Sequence, residues 1–346
     1  MITKTARSLH TQNAYPEQNP AVSKWQTSLA EAIRDPLELL EQLDLPLSLA
    51  EKIQQQPAFP LRVTQSFLQR MQRGNLHDPL LRQVLPLASE SDFEDWGSQD
   101  PVADHAAMQS PGLLHKYAGR VLLVSTAACA IHCRYCFRQH FAYRQANPLG
   151  NQWPATLSYL GAHRDIHEII LSGGDPLSLN DERLSNIVHQ LEQLDHIRTL
   201  RIHTRLPVVL PERIDNQLLE WVTNSRLNIV FVLHINHPNE INGELHSALR
   251  HLQRPGITLL NQSVLLKGVN DNSETLIALS HKLFASGVLP YYLHQLDKVR
   301  GAAHFEVSES EGRDLLRVIS GALPGYLVPK YVKEIPGEAA KSPILR

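Results

Sequence analysis

From Arg120 onward, short apolar runs alternate with longer amphipathic stretches. Runs at Val121–Val124, Glu168–Leu171, Thr199–His203, Ile229–Leu233, Leu259–Leu266 and Tyr291–Leu296 have the length and composition of strands. Segments with apolar residues at helical spacing lie between them, near Ala155–Ala162, Asp181–Leu194, Glu212–Asn224, Glu240–Leu252 and Ser273–Phe284. Six strands with intervening helices predict parallel β/α units and an α/β fold, a partial (β/α)6 barrel. Six units leave one side open for a large substrate or a covering segment. Polar and glycine-bearing motifs repeatedly follow a strand. A cysteine-rich stretch follows the first, Gly173-Gly174-Asp175 the second and His203-Thr204-Arg205 the third. His234-Ile-Asn236-His237 ends the fourth, and Asp297 follows the sixth. β/α barrels place their sites at these carboxyl ends.

Residues 1–115 read as mainly helical. Asp35 stands as an N-cap before the apolar-periodic stretch Pro-Leu-Glu-Leu-Leu-Glu-Gln-Leu. Pro60, Pro79, Pro86 and Pro111 break the region into short pieces. Nothing in it carries recognisable chemistry. The chain divides into this helical region, a partial barrel at 116–300 and a C-terminal segment at 301–346. There is no internal repeat and no low-complexity tract.

Charge narrows the function. Lys and Arg total 33 against 35 Asp and Glu, so no strong field attracts nucleic acid or an anionic membrane. No apolar run approaches the roughly 18 residues of a membrane span. Met1-Ile-Thr-Lys-Thr-Ala-Arg has no apolar core of the kind a secretory signal needs.

The three cysteines of the chain, Cys129, Cys133 and Cys136, all fall within one motif, Cys-x3-Cys-x2-Cys. An odd count in one cluster argues against a disulfide framework and for a reducing cytoplasm. Three thiolates at this spacing can hold three irons of a [4Fe–4S] cluster and leave the fourth iron open to a small molecule. Two other readings stand beside it. The thiols are unrelated buried side chains, or they bind zinc with His132 or His140 as a fourth ligand, although structural zinc sites normally pair two short clusters. Gly173-Gly174-Asp175 lacks side chains at the two positions nearest its strand, so a ligand can approach bare backbone. Its carbonyls and Asp175 can accept from an ammonium group. Read alone, it is an ordinary βα turn with Asp175 capping a helix.

The cysteine stretch resembles the cluster loop of radical S-adenosylmethionine (SAM) enzymes. With it, Leu114-His115-Lys116-Tyr117, Arg120-Val-Leu-Leu, His237-Pro238-Asn239-Glu240, Asn261-Gln262-Ser-Val-Leu-Leu-Lys-Gly-Val-Asn270-Asp271 and Pro336-Gly337-Glu338-Ala-Ala-Lys341 are similar to the lysine 2,3-aminomutase family. The similarity covers nearly the whole chain, in order and spacing. Pro111-Gly-Leu-Leu-His-Lys-Tyr and Pro290-Tyr-Tyr-Leu-His-Gln-Leu-Asp resemble the short branch that supplies β-lysine for modifying elongation factor P. The short run after Lys341 disfavours a catabolic or osmolyte-pathway member.

The resemblance implies a [4Fe–4S] cluster, SAM and pyridoxal phosphate as cofactors, and L-lysine as substrate. An external one-electron reductant and an elongation factor P lysine ligase are the implied partners. A radical SAM enzyme acting on RNA and a zinc-binding interaction module are the rival classes; the charge balance counts against the first. Lys341, followed by Ser342 and Pro343, matches the Schiff-base lysine, although Glu338-Ala339-Ala340 replaces most of the family's glycines. Lys116, Tyr117 and Arg120 match the phosphate-binding positions. Gly173, Gly174 and Asp175 match the motif that holds the methionine amino group of SAM, with Gln262 and His234 as further SAM contacts. Arg138 matches the arginine that grips the substrate carboxylate; as a plain charge it neutralises the anionic cluster. Asp297 and Glu334 match the ε-amine ligands, Glu334 standing where the family has aspartate. Their joint presence argues against a glutamate substrate, because a buried ammonium needs pairing and a distal carboxylate would be repelled.

Overall fold

In a computed structural model, which describes residues 23–345 apart from 55, 56, 58, 93, 144 and 147, all six apolar runs become strands. The stretch Met1–Arg7 lies outside the described residues. In chain order the strands are β1 (Met108–Ser110), β2 (Leu113–Tyr117), β3 (Arg120–Thr126), β4 (Glu168–Gly173) and β5 (Thr199–Thr204). They continue as β6 (Asn228–His234), β7 (Ile257–Val264), β8 (Leu289–His294), β9 (Lys330–Lys333) and β10 (Ser342–Pro343). One sheet runs from β1 to β10 without closing, so the partial barrel expected from the sequence is what forms. Strands β3 to β9 pair in parallel, each with the next. β1 and β2 add an antiparallel ribbon to one edge, and β10 pairs antiparallel with β9 at the other.

These edge strands extend the six predicted units. β1 and β2 are short and β10 has two residues, too little for a periodic signal. They also qualify the helical reading of the first region. Its helices are one or two turns long, such as Lys24–Ala30, Pro36–Gln42, Gln65–Leu68 and Pro79–Arg82. Asp35 caps the second, accepting from the Leu37 amide at 2.9 Å.

Local polar residues set the other boundaries. The helix expected from Glu212 begins at Asn216, because Asp215 takes the Leu218 amide as its N-cap. The helix expected from Glu240 begins at Gly243, because Asn242 caps it and Pro238–Glu240 forms a separate 3-10 turn. β7 ends at Val264, two residues early. There Asn236 accepts from the Val264 amide and Asn270 from that of Leu266.

Side-chain alternation separates the two faces of the sheet. On β4 and β5, Ile169, Leu171, Leu200 and Ile202 are fully buried against the helical layer. The alternate residues Arg201 and His203 keep partial exposure on the inner face. His234 at the end of β6, Gln262 on β7 and His294 at the end of β8 do the same. A closed β/α barrel packs this interior with branched apolar side chains. Here polar groups line it, so the lumen is a chamber rather than a core. The first region joins the main core directly: Leu39, Leu40, Phe67 and Leu80 are fully buried in the cluster that includes Leu200 and Phe231.

Candidate active site

The cysteine loop leaves β3 at Thr126 and lies across the end of β4. Two backbone bonds hold it there: the Gly174 amide donates to Thr126 O and the Asp175 amide to Ala128 O, both at 2.7 Å. A Cβ on Gly174 would stand 2.4 Å from Ala128 O, and Gly173 has φ +118°. The glycines therefore let the loop dock on the strand end. Asp175 is buried and its carboxylate is heavily engaged. It accepts from Thr204 Oγ1 (2.6 Å) and from the amides of Leu177, Arg205 and Leu206. Burial still raises its pKa despite these bonds. In this arrangement Asp175 ties β4 to β5.

Cys129, Cys133 and Cys136 are free thiols on this loop. Burial, then the charge of neighbouring groups that include the other thiols, pushes Cys129 far up; burial and Cys133 push Cys136 up to about 12. Three free thiols on one loop, within eight residues, are the donor set that a [4Fe–4S] cluster takes. Arg205 donates through Nη1 to Cys133 Sγ and to Tyr135 Oη, both at 2.7 Å. Its Nη2 reaches Gln83 Oε1 (2.7 Å) and Glu240 Oε2 (2.9 Å). Arg134 pairs with both oxygens of Glu90 and donates to the Phe59 carbonyl. His132 is spent on Pro60 O and stacks on Phe59, while His140 faces Arg300 O. Both candidate fourth zinc ligands thus have other partners. Among the described residues no three His, Cys, Asp or Glu side chains converge as ligands of one ion do. Cluster thiolates each take a different iron and stand further apart.

Inward from the loop, Arg138 is buried and held on two sides. Its Nε donates to Asp104 Oδ2 (2.6 Å) and Nη1 to Ser172 Oγ (3.1 Å). The other Asp104 oxygen takes Lys116 Nζ at 2.8 Å. Burial alone would raise the Asp104 pKa, but Arg138 and Lys116 outweigh it and hold the carboxyl below its ordinary value. Lys116 also lies 3.7 Å from Glu334, and Glu334 accepts from Tyr117 Oη (2.5 Å) and Lys341 Nζ (2.7 Å). β2 carries Lys116 and Tyr117, whereas Glu334 and Lys341 flank the turn between β9 and β10. The structure thus brings together residues more than 200 positions apart.

Arg120 stacks on the Tyr117 ring at 4.8 Å, and its guanidinium makes no hydrogen bond or ion pair among the described residues. Gln262 and the Asp297 carboxylate are likewise without a side-chain partner there. Asp297 is pushed up to about 6, chiefly by burial; Lys341 holds it down and Glu334 pushes it up. His234 bonds Tyr135 Oη at 2.9 Å, and burial followed by Arg205 lowers its pKa to about 3. Desolvation, followed by Arg201 for His203 and by Lys341 for His294, holds both imidazoles well below their ordinary pKa.

Hydrogen bonds and ion pairs join Arg138, Lys116, Tyr117, Glu334 and Lys341 into one network through Asp104, and Arg205 and Tyr135 link the cysteine loop to His234; no such bond joins the side chains of Asp297 or Gln262 to them among the described residues. Sequence reasoning missed Asp104, Gln83, Glu90 and Ser172. The first three come from the region read as carrying no chemistry. For Asp104 the only signal is the turn-forming Asp100-Pro101 four residues earlier.

An open parallel barrel with a three-cysteine loop after its first parallel strand defines a radical SAM iron–sulfur enzyme. Residues 118–204 match the family described as "4Fe-4S single cluster domain". The chain is 47% identical to an L-lysine 2,3-aminomutase of Escherichia coli over 94% of this chain and 95% of that protein. It is 46% identical to one from Haemophilus influenzae (92% and 94% covered) and 45% identical to one from Buchnera aphidicola (92% and 94%). The chain belongs to the lysine 2,3-aminomutase family, which are isomerases. No helix among the described residues is long and apolar enough to cross a membrane.

Proposed function

We propose that the chain converts (S)-α-lysine into (R)-β-lysine by moving the amino group from C2 to C3, and that the product supplies a ligase that modifies elongation factor P. The observation that carries the reading is the charge layout of the chamber. A fixed guanidinium, Arg138, stands on the cysteine loop, and a free carboxylate, Asp297, follows β8, with Lys341 among them. That layout suits an amino acid with a second ammonium at its far end.

The residue types around the chamber suit the cofactors. Cys129, Cys133 and Cys136 would hold the [4Fe–4S] cluster. Gly173, Gly174, His234 and the unpartnered Gln262 would contact SAM, while Asp175, whose carboxylate is spent on Thr204 and three amides, would hold the glycine turn in place rather than take the ammonium itself. Lys341 would hold pyridoxal phosphate, with Arg120, whose guanidinium is unpaired, and with Lys116 and Tyr117, engaged by Asp104 and Glu334, at its phosphate. Bound there, these groups supply a hydrogen-abstracting radical and a carbonyl that carries the migrating nitrogen.

The protein's own part is positioning and charge pairing. Arg138 offers its remaining N–H groups to the α-carboxylate. Asp297, with Glu334 beside it, takes the ε-ammonium, which would otherwise be a buried unpaired charge. Glu334 holds the Lys341 ammonium at 2.7 Å, so it steadies that amine before it is used. The reaction is an isomerisation: the hydrogen taken from C3 returns at C2, and no net electron is consumed. The external one-electron reductant serves only to reduce the cluster.

The support for the elongation factor P branch is the resemblance of Pro111–Tyr117 and of the stretch from Pro290 to Asp297. The enzymatic test is anaerobic reconstitution with iron, sulfide, SAM, pyridoxal phosphate and lysine, with β-lysine identified by chromatography. Lys341→Ala keeps its iron and sulfide and loses β-lysine formation. A fully active Lys341→Ala protein without a pyridoxal phosphate absorbance band overturns the assignment. For the pathway, the gene is deleted and elongation factor P weighed by mass spectrometry. Unchanged modification excludes this branch and favours a catabolic or osmolyte role.

A further inference from the structure

We propose that Asp104 is a positioning residue for substrate recognition: as the shared counter-ion of Arg138 and Lys116, it sets the orientation in which Arg138 receives a carboxylate. The inference rests on the reading of Arg138 as the substrate-carboxylate grip.

The geometry is asymmetric in a useful way. Arg138 spends its Nε on Asp104 and Nη1 on Ser172. Its Nη2 makes no hydrogen bond among the described residues, yet it is not among the sealed, unsatisfied atoms. A planar guanidinium fixed by two contacts presents its remaining edge in one direction only. Ser172 Oγ alone would leave it free to swing. The second oxygen of the same carboxylate, on Lys116 Nζ at 2.8 Å, prevents Asp104 from following Arg138. Lys116 is itself anchored to Val102 O at 2.6 Å.

The segment that delivers Asp104 is also built to hold position. The Asp100 carboxylate accepts from the amides of Asp104 (2.8 Å) and His105 (3.1 Å), folding the turn on itself. Further upstream, the Ser98 amide donates to Lys298 O (2.9 Å), and the Arg300 amide donates to Ser98 O (3.0 Å). Gly97 lies so close to this backbone that a Cβ would stand 2.5 Å from Lys298 O. Lys298 directly follows Asp297. One strap, residues 97–104, is therefore pinned at one end to the loop of the ammonium acceptor and at the other to the carboxylate grip. It holds the two ends of the substrate in register.

Losing one charge-assisted bond at a buried guanidinium corresponds to roughly 10- to 100-fold in affinity. The test uses reconstituted holoenzyme and follows the pyridoxal phosphate absorbance as amine is added, a binding readout independent of turnover. Two probes are titrated: lysine, and cadaverine, which is lysine without its carboxylate. In Asp104→Asn, lysine affinity falls at least tenfold while cadaverine affinity stays within threefold of wild type. Equal loss for both amines assigns Asp104 a merely structural role and overturns the proposal, as does unchanged or tighter lysine binding. Asp104→Glu keeps the charge and moves it by one methylene, so it covers the case in which Asp104→Asn loses its cluster. Lysine-selective weakening there supports the proposal; wild-type behaviour shows that charge suffices and overturns it. If the wild-type spectrum responds to neither amine, the proposed function fails, and this inference fails with it.

Discussion

Replacing Asp297 with Asn should stabilise the protein while disabling it. The carboxyl has no side-chain partner among the described residues, and burial lifts its pKa from 3.8 to about 6. At about 1.4 kcal/mol per pH unit, ionising it in the folded protein costs about 3 kcal/mol. The residue is only half-buried within an open chamber, so solvent screening reduces the effect to about 1–2 kcal/mol. The sign follows from linkage. Below 3.8 the carboxyl is protonated in both states and costs nothing. Between 3.8 and about 6 the unfolded chain is ionised and the folded protein increasingly resists ionisation. Above about 6 the full cost is present. Asn carries no charge and is indifferent to this range. Anaerobic urea unfolding of both proteins without lysine, from pH 4 to pH 8, measures the difference. The Asn variant should be more stable by about 1–2 kcal/mol at pH 8, with the gap shrinking toward pH 4, and it should no longer bind lysine. A variant no more stable than wild type at pH 8, or a gap independent of pH, would refute the idea that Asp297 is a carboxylate kept unpaired for a substrate ammonium.

The same group sets a pH dependence for substrate binding: KM for lysine should rise as pH falls through about 6, where Asp297 takes up a proton, and initial rates at varied lysine concentration would show it. Gly174→Ala places a Cβ 2.4 Å from Ala128 O and should displace the cysteine loop; iron and labile sulfide should fall by about half or more, and full cluster content would contradict the docking role. Arg205→Met leaves Glu240 buried without its cation and removes the donor to Cys133; thermal and urea unfolding should show a loss of about 3–5 kcal/mol, and an unchanged melting temperature would count against the network.

Much of the fold was legible because the strands of the partial barrel are apolar runs, and their alternation with amphipathic segments leaves few other topologies. Capping residues were legible too, yet two helix starts were read several residues early. There Asp215 and Asn242 compete with the apolar periodicity and win, because each satisfies an amide that the helix itself cannot. The strands β1, β2, β9 and β10 were not read, since their pairing rather than their own pattern makes them strands.

By itself the sequence determined the chemistry: three thiols at cluster spacing, and motifs whose order and composition mark the lysine 2,3-aminomutase family. Those signals are local, because a cluster loop must carry its ligands within a few residues. Only the tertiary structure decided how the charges are shared. It placed Glu334 between Tyr117 and Lys341, gave the Asp175 carboxylate to β5 and left Asp297 and Gln262 free. It also carried Asp104, from a region with no visible chemistry, onto Arg138 and Lys116. Such partners are separated by up to 217 positions. A carboxylate is one acceptor among 35 acidic residues until the path of the chain selects its cation. Residue type states what a group can bind, and the path of the open sheet around a polar lumen settles what it does bind.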